Sequence, residues 1–289
     1  MIPRLNIIAW SKNAPWAELR QIEQDLIISR ALVDLFSDPL LRNELRFRGG
    51  TAINKLLFPL PLRYSEDIDL VRTSSGPIGP VLGRIRDVLR PWLGEAKFDQ
   101  SPVAPKLIYR MPAEDGPADL RLKIEINTRE TDAIDPTNEI DFSVENPWFT
   151  GSAKIATYSR EEMFATKLRA LLQRNKGRDL LDLSHALEVH GDLNRPRIIE
   201  CLTVYLANGE TPISRAQAEE RMFAKLATPR FVADIRPLLP PDRAEALTDA
   251  GIRKAFARVF RDLIVLMPGT AWAKTGAMIE RFALAEGQE

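Results

Sequence analysis

The sequence predicts an α+β fold, with a mixed first half followed by an all-helical second half. Three observations carry this. β-forming runs that alternate apolar and charged residues occur only in the first half, where they are interleaved with helical stretches. From Ser159 onward the apolar spacing is helical, broken by glycine and proline at Gly191, 209–212, Pro229, 237–241 and Pro268-Gly269. No internal repeat or low-complexity tract interrupts either half. The expected division is 1–155 and 156–289.

Taken in order, residues 18–45 read as a long helix. Leu19, Ile22, Leu26, Ile27, Leu32, Val33 and Leu35 form its apolar stripe, and Pro39 breaks or bends it near Asp38. Residues 45–48 suit a short strand that runs into Gly49-Gly50, where glycine permits a tight turn and close backbone approach to a ligand. A short helix over 52–58 follows, and Pro59 and Pro61 end it. Its start, just after the glycines, presents free amides suited to an anion. Residues 68–71 form the next strand. Residues 81–93 form a helix closed by Pro91 and Gly94. Residues 106–110 and 120–127 are strands. The second alternates leucine or isoleucine with Arg121, Lys123, Glu125 and Asn127, the pattern of a half-buried strand. The acidic, turn-rich stretch 130–147 reads as a connector.

Composition sets bounds on function. At 289 residues and 45% hydrophobic, the chain can bury one large core or two modest ones. Its 40 basic residues match 40 acidic ones, which argues against a generally basic nucleic-acid binder while permitting a local basic face. The single Cys201 excludes an internal disulfide framework and a thiolate metal cluster; it lies on an apolar helix face as a small hydrophobe. The residues before Trp16 hold too short an apolar run for a signal peptide, and no stretch approaches the roughly 20 apolar residues of a membrane span. A cytoplasmic protein is expected.

The densest chemistry lies in Arg48-Gly49-Gly50-Thr51 and Arg63-Tyr64-Ser65-Glu66-Asp67-Ile68-Asp69. On a strand, residues two apart share a side, so Asp67 and Asp69 converge. Two carboxylates so placed repel unless a cation sits between them, and Mg²⁺ is held by one or two carboxylates plus substrate phosphates. Glu125, on a later strand, could add a third carboxylate and a second ion, or could instead pair with Arg121 or Lys123. A second cluster follows Ser159, which with Glu162 has capping-box spacing. Met163, Phe164, Leu168, Leu171 and Leu172 make the core face of that helix, and Lys167 flanks it, placed to reach into a cleft between domains. Six basic residues (Arg160, Lys167, Arg169, Arg174, Lys176 and Arg178) offer a positive field for a triphosphate or an RNA backbone, or simply a solvated charged helix. His185 and His190 accompany no serine or cysteine nucleophile and read as packing or capping residues.

As a set, Gly-Gly-Thr…Arg-x-Ser-x-Asp-x-Asp, followed by Glu-x-x-x-x-x-Lys-Leu-Arg-Ala-Leu and Arg-Asp-x-x-Asp-Leu, resembles the AbiEii/AbiGii nucleotidyltransferase toxins. These belong to the DNA polymerase β-like superfamily and include the MenT toxins. The resemblance spans about residues 47–187; the helices beyond it match no motif. It implies a nucleotidyltransferase-fold domain with a small mixed sheet, followed by a helical domain that contributes a lysine and an aspartate to the cleft. Gly49, Gly50 and Thr51 would cradle phosphates, and Arg63, Ser65 and Lys167 would also bind nucleotide. Asp67 and Asp69, with Glu125, would hold Mg²⁺ or Mn²⁺. Lys167 would be the catalytic lysine and Asp182 the essential aspartate, with Asp179 one turn before it. The implied reaction moves a nucleoside monophosphate from a nucleoside triphosphate to an acceptor, the 3′ end of tRNA in several family members. The implied partner is an adjacently encoded, winged-helix antitoxin. Transfer to a protein or small molecule, and a non-catalytic nucleotide- or antitoxin-binding module, are the competing readings.

Overall fold

The computed structural model describes residues 2–100, 104–116, 118–209, 212–228, 231 and 233–284. The breaks expected at Pro229 and over 210–211 lie outside them. The chain forms two compact units, Met1–Ser159 and Arg160–Glu289.

The first unit begins with α1 (Arg4–Trp10), which the sequence pattern did not suggest, and α2 (Leu19–Ser37). The long helix expected over 18–45 is two helices. Asp38 accepts hydrogen bonds from the amides of Leu40 and Leu41 (both 3.1 Å) and so caps a separate α3 (Pro39–Glu44), with Pro39 in its first turn. Strand β1 (Leu45–Arg48) leads into α4 (Gly49–Ala52), which continues as a π-helical turn (Ile53–Leu57). Then follow β2 (Asp67–Arg72), α5 (Gly79–Leu93), β3 (Lys97–Asp99), β4 (Lys106–Pro112), β5 (Asp119–Asn127), β6 (Asn138–Asn146) and β7 (Phe149–Thr157). Pro91 lies inside α5, and Gly94, at φ +74°, ends it.

The seven strands form one mixed sheet in the order β3-β4-β5-β2-β1-β7-β6, with β2/β5 and β1/β7 parallel and the other neighbours antiparallel. The connector expected over 130–147 is corrected by β6. Ile140, Phe142 and Val144 alternate there with Asp141, Ser143 and Glu145, a strand pattern whose acidic half resembles loop composition. One face of the sheet is apolar: Phe47, Ile68, Leu70, Leu107, Tyr109, Leu122, Ile124 and Ile126 are buried. α2 packs against β5, β6 and β7, and α5 against β4. Strand alternation therefore sends Asp67, Asp69, Lys123 and Glu125 to the opposite, polar face.

The second unit holds α6 (Arg160–Gln173), α7 (Gly177–Val189), α8 (Arg195–Ala207), α9 (Arg215–Leu226), α10 (Pro241–Ala246), α11 (Asp249–Asp262) and α12 (Thr275–Arg281). α6 starts directly after Ser159 and packs on α7 and α8, while α11 packs on α7 and α9. Phe223, Phe256, Phe260 and Trp272 stack around the latter contact, and Cys201 is buried on α8. No described helix is long and apolar enough to cross a membrane.

Candidate functional site

In the first unit the site grows from the end of β1. Arg48 lies opposite Asp69 in the β1–β2 register, and its guanidinium pairs with Glu130 at 3.0 Å. Gly49 then turns with φ +83°, and a Cβ there would lie 2.5 Å from Asp69 Oδ2. A Cβ on Gly50 would run into the guanidinium of Arg63, whose side chain is buried against the same turn. Gly49 is therefore required by backbone conformation as well as close approach, whereas a side chain at Gly50 would displace the end of Arg63. Thr51 donates its hydroxyl proton to the Asp67 carbonyl (2.5 Å), so the 2.7 Å contact with Ser65 is one in which Ser65 donates. This ties the turn to the entry of β2.

Asn54, which the sequence pattern did not single out, locks the other side. Its Nδ2 donates to the Gly50 carbonyl (2.9 Å), and its Oδ1 accepts from the amides of Leu62 (2.8 Å) and Arg63 (3.1 Å). The proline-bounded loop before Arg63 is thus clamped onto the glycine turn. Arg63 in turn donates to the Tyr64 carbonyl (3.0 Å). Only tertiary structure brings Asn54 to these amides, eight and nine residues on.

Asp67 and Asp69 share one face of β2, and in the parallel β2–β5 register they lie beside Lys123 and Glu125 respectively. Burial, then the neighbouring charge of Asp67, pushes the Asp69 carboxyl above its usual range. Lys123 Nζ stands 2.9 Å from Asp67 and 3.1 Å from Glu125, and Lys106 Nζ is 3.8 Å from Glu125. Burial works against the Lys123 charge, but its hydrogen bonds to Asp67 and Glu125 prevail and hold its pKa above the ordinary lysine value. Glu125 is thereby engaged by two lysines, and among the described residues no group of three acidic, histidine or cysteine side chains is placed to hold a metal ion. The donor set fits a hard divalent ion nonetheless. Asp67 and Asp69 lie on one face of β2, with Asp69 against a turn too tight for a Cβ, a two-carboxylate set of the kind that substrate phosphate and water complete rather than an all-protein cage.

In the second unit Lys167, on α6, has its ammonium buried between two aspartates of α7, 3.2 Å from Asp179 and 3.0 Å from Asp182. Both carboxylates are fully buried. Arg174 clasps Asp179 in a fork, Nε at 2.7 Å and Nη2 at 2.8 Å. Of the other four cations in the expected positive field, Arg160 pairs with Asp192 (2.9 Å), Arg169 lies over the Tyr205 ring (4.8 Å) and Lys176 stands 4.0 Å from Asp234. Much of that charge is committed to partners within the unit.

The mixed sheet, with paired aspartates beside a glycine turn, has the fold of the nucleotidyltransferases. MenT4, a nucleotidyltransferase toxin from Mycobacterium tuberculosis, superposes with a TM-score of 0.67 at 18% identity, covering 99% of this chain and 95% of that one. JHP933 from Helicobacter pylori superposes with a TM-score of 0.52 at 17% identity, covering 93% and 95%. No curated protein matches the sequence significantly. The sequence model of the nucleotidyl transferase AbiEii toxin of type IV toxin–antitoxin systems matches residues 30–261. The chain belongs to that family: it is a nucleotidyltransferase toxin. Membership implies a nucleoside triphosphate substrate and an antitoxin partner, and toxins of this kind generally use a divalent metal.

Proposed function

We propose that this toxin transfers a nucleoside monophosphate from a nucleoside triphosphate to the 3′ end of tRNA, and that Asp67 and Asp69 hold Mg²⁺ for the reaction. The observation that carries the proposal is the shared face of Asp67 and Asp69 on β2, with Asp69 pressed against Gly49. The chemistry a bound divalent ion supplies there is neutralisation of phosphate charge and polarisation of the α-phosphate. Gly49, Gly50, Thr51 and Ser65 cradle the β- and γ-phosphates, with Arg63 fixed against the turn as their positive contact. Lys123 holds Asp67 in place before substrate arrives. Glu125 joins the ligands only where Lys123 releases it. Lys167 offsets charge on the leaving pyrophosphate, a role worth a few kcal/mol when desolvated (about 2.7–4 kcal/mol for a single oxyanion donor). Asp182 orients Lys167 or the incoming hydroxyl. The antitoxin is a winged-helix protein encoded beside the toxin.

The test is incorporation of labelled triphosphates into total tRNA. Asp69→Ala should reduce transfer by more than about a hundredfold, equivalent to about 2.7 kcal/mol of transition-state stabilisation. Undiminished transfer by this variant refutes the metal role, and label appearing in protein or small molecules instead of RNA refutes the acceptor.

A further inference from the structure

The polar face of the sheet does not stop at the carboxylates. Strand register extends it from β2 across β5 and β4 to the edge strand β3. Asp67 lies beside Lys123, Lys123 beside Ile108, and Ile108 beside Lys97. In the adjoining row Arg121 stands directly opposite Arg110. Lys97, Arg110 and Arg121 are exposed, and none of their side chains makes a hydrogen bond or ion pair among the described residues. Like charges directly opposite one another on a sheet are destabilising, so folding gives no reason for the Arg110–Arg121 pair. Asp99 and Asp119 lie in the flanking rows, which leaves the three cations as a short stripe.

We propose that this stripe carries the sugar–phosphate backbone of the acceptor RNA towards Asp67 and Asp69. The inference rests on the RNA-acceptor reading above and adds where the polyanion lies. Three lines of observation support it. The cations share the face of the carboxylate site and adjoin it through Lys123. They are unpaired in a chain where many arginines are paired. Planar, permanently charged arginines suit phosphate oxygens. Contacts to a backbone position the acceptor without reading its sequence, which suits a toxin acting on a shared 3′ terminus.

The experiment compares the full-length protein with Arg110→Glu/Arg121→Glu, Arg110→Lys/Arg121→Lys and Lys97→Glu, using unfractionated tRNA as probe. Binding is followed from 50 to 300 mM KCl, alongside steady-state transfer. Loss of two backbone contacts should flatten the log–log salt dependence by about 1.4 for single-stranded contacts, or about 1.8 for a duplex. The KM for RNA should rise at least tenfold in the double glutamate variant, with kcat at saturation and the KM for triphosphate unchanged, and the lysine pair should restore most of the affinity. Thermal melting should show the glutamate variants folded, since the substituted side chains are exposed and the double variant exchanges one opposed like-charge pair for another. If RNA is labelled by the wild type and equally by the double glutamate variant, with the same salt slope, the stripe is overturned while the RNA acceptor stands. If the wild type labels protein and not RNA, the acceptor reading falls and this inference with it.

Discussion

Gly49 and Asp69 are fitted to each other: the glycine's missing side chain is the space that the aspartate's Oδ2 occupies, 2.5 Å from where a Cβ would sit. The first prediction follows from that space. Gly49→Ala forces a side chain into a φ of +83°, costing about 1–2 kcal/mol, and displaces the Asp69 carboxylate from beside the turn. Triphosphate transfer should fall at least a hundredfold, with a stability loss of only about 1–3 kcal/mol in urea. Near-normal transfer by Gly49→Ala would mean that Asp69 is free to move without consequence.

Lys123 sits where a cation is wanted, and this predicts opposite effects on stability and metal affinity. With Lys123→Met, Asp67 and Glu125 lose their shared ammonium, so the metal-free protein should melt at a lower temperature. The same change removes an internal competitor for Asp67. Mn²⁺ binding measured calorimetrically in the presence of a non-hydrolysable triphosphate should therefore tighten severalfold. Chelation of divalent ions should abolish transfer in the wild type and restore the stability gap between the two proteins. Weaker Mn²⁺ binding by the variant would show that Lys123 organises the ligands rather than competing with the ion.

The Lys167 cluster makes a graded prediction. Asp182→Ala removes one of two carboxylates around a buried ammonium and should cost about 3–5 kcal/mol, the usual penalty for breaking a buried pair. Arg174 is half exposed, so Arg174→Ala should cost no more than about 1 kcal/mol despite its fork on Asp179. Guanidinium unfolding of the two variants gives the order directly. Equal costs would show that the cluster is hydrated in solution.

Asp179 adds a pH signature. Burial alone would raise its carboxyl, but Arg174 and Lys167 outweigh burial and hold it below the ordinary carboxylate range. A depressed native pKa contributes stability that is fully present above the unfolded value, about 3.9, and is lost as pH falls through the lower native value. Stability of the wild type should therefore decline below about pH 4, and Asp179→Asn should flatten that part of the curve while lowering the plateau at neutral pH. An unaltered acid limb in the variant would rule out this origin.

How much of this was legible beforehand depended on how local each signal is. The period of two on β2 sufficed to put Asp67 and Asp69 on one side, and Gly49-Gly50 marked the turn beside them. The mixed first half and helical second half were equally readable from periodicity. What could not be read was register. Nothing within β5 says that Lys123 will lie beside Asp67, because parallel pairing of β2 with β5 is decided by the whole sheet. β6 was hidden by its own acidity, since Asp141 and Glu145 look like connector residues until their apolar neighbours are counted as one face. The basic run on α6 and α7 looked available to a substrate because Asp192 and Asp234, which engage Arg160 and Lys176, are distant in sequence.

Asn54 supplies the last test, because it shapes the phosphate turn without being offered to a substrate. Its carboxamide spends both ends inside the protein, donating to Gly50 and accepting from the amides of Leu62 and Arg63. Asn54→Ala deletes all three bonds at a buried position, and about 1–3 kcal/mol of stability should go with them. Asn54→Asp keeps the acceptor for the two loop amides but sets a carboxylate against the Gly50 carbonyl. It should hold the loop while displacing the turn. If the turn binds the triphosphate, the aspartate variant will show a raised KM for triphosphate with the loop still protected from amide exchange, whereas the alanine variant will lose both. A normal KM in Asn54→Asp, with the turn's amides exchanging freely, would detach the glycine turn from nucleotide binding and leave Arg63, Ser65 and Lys167 as the remaining candidates.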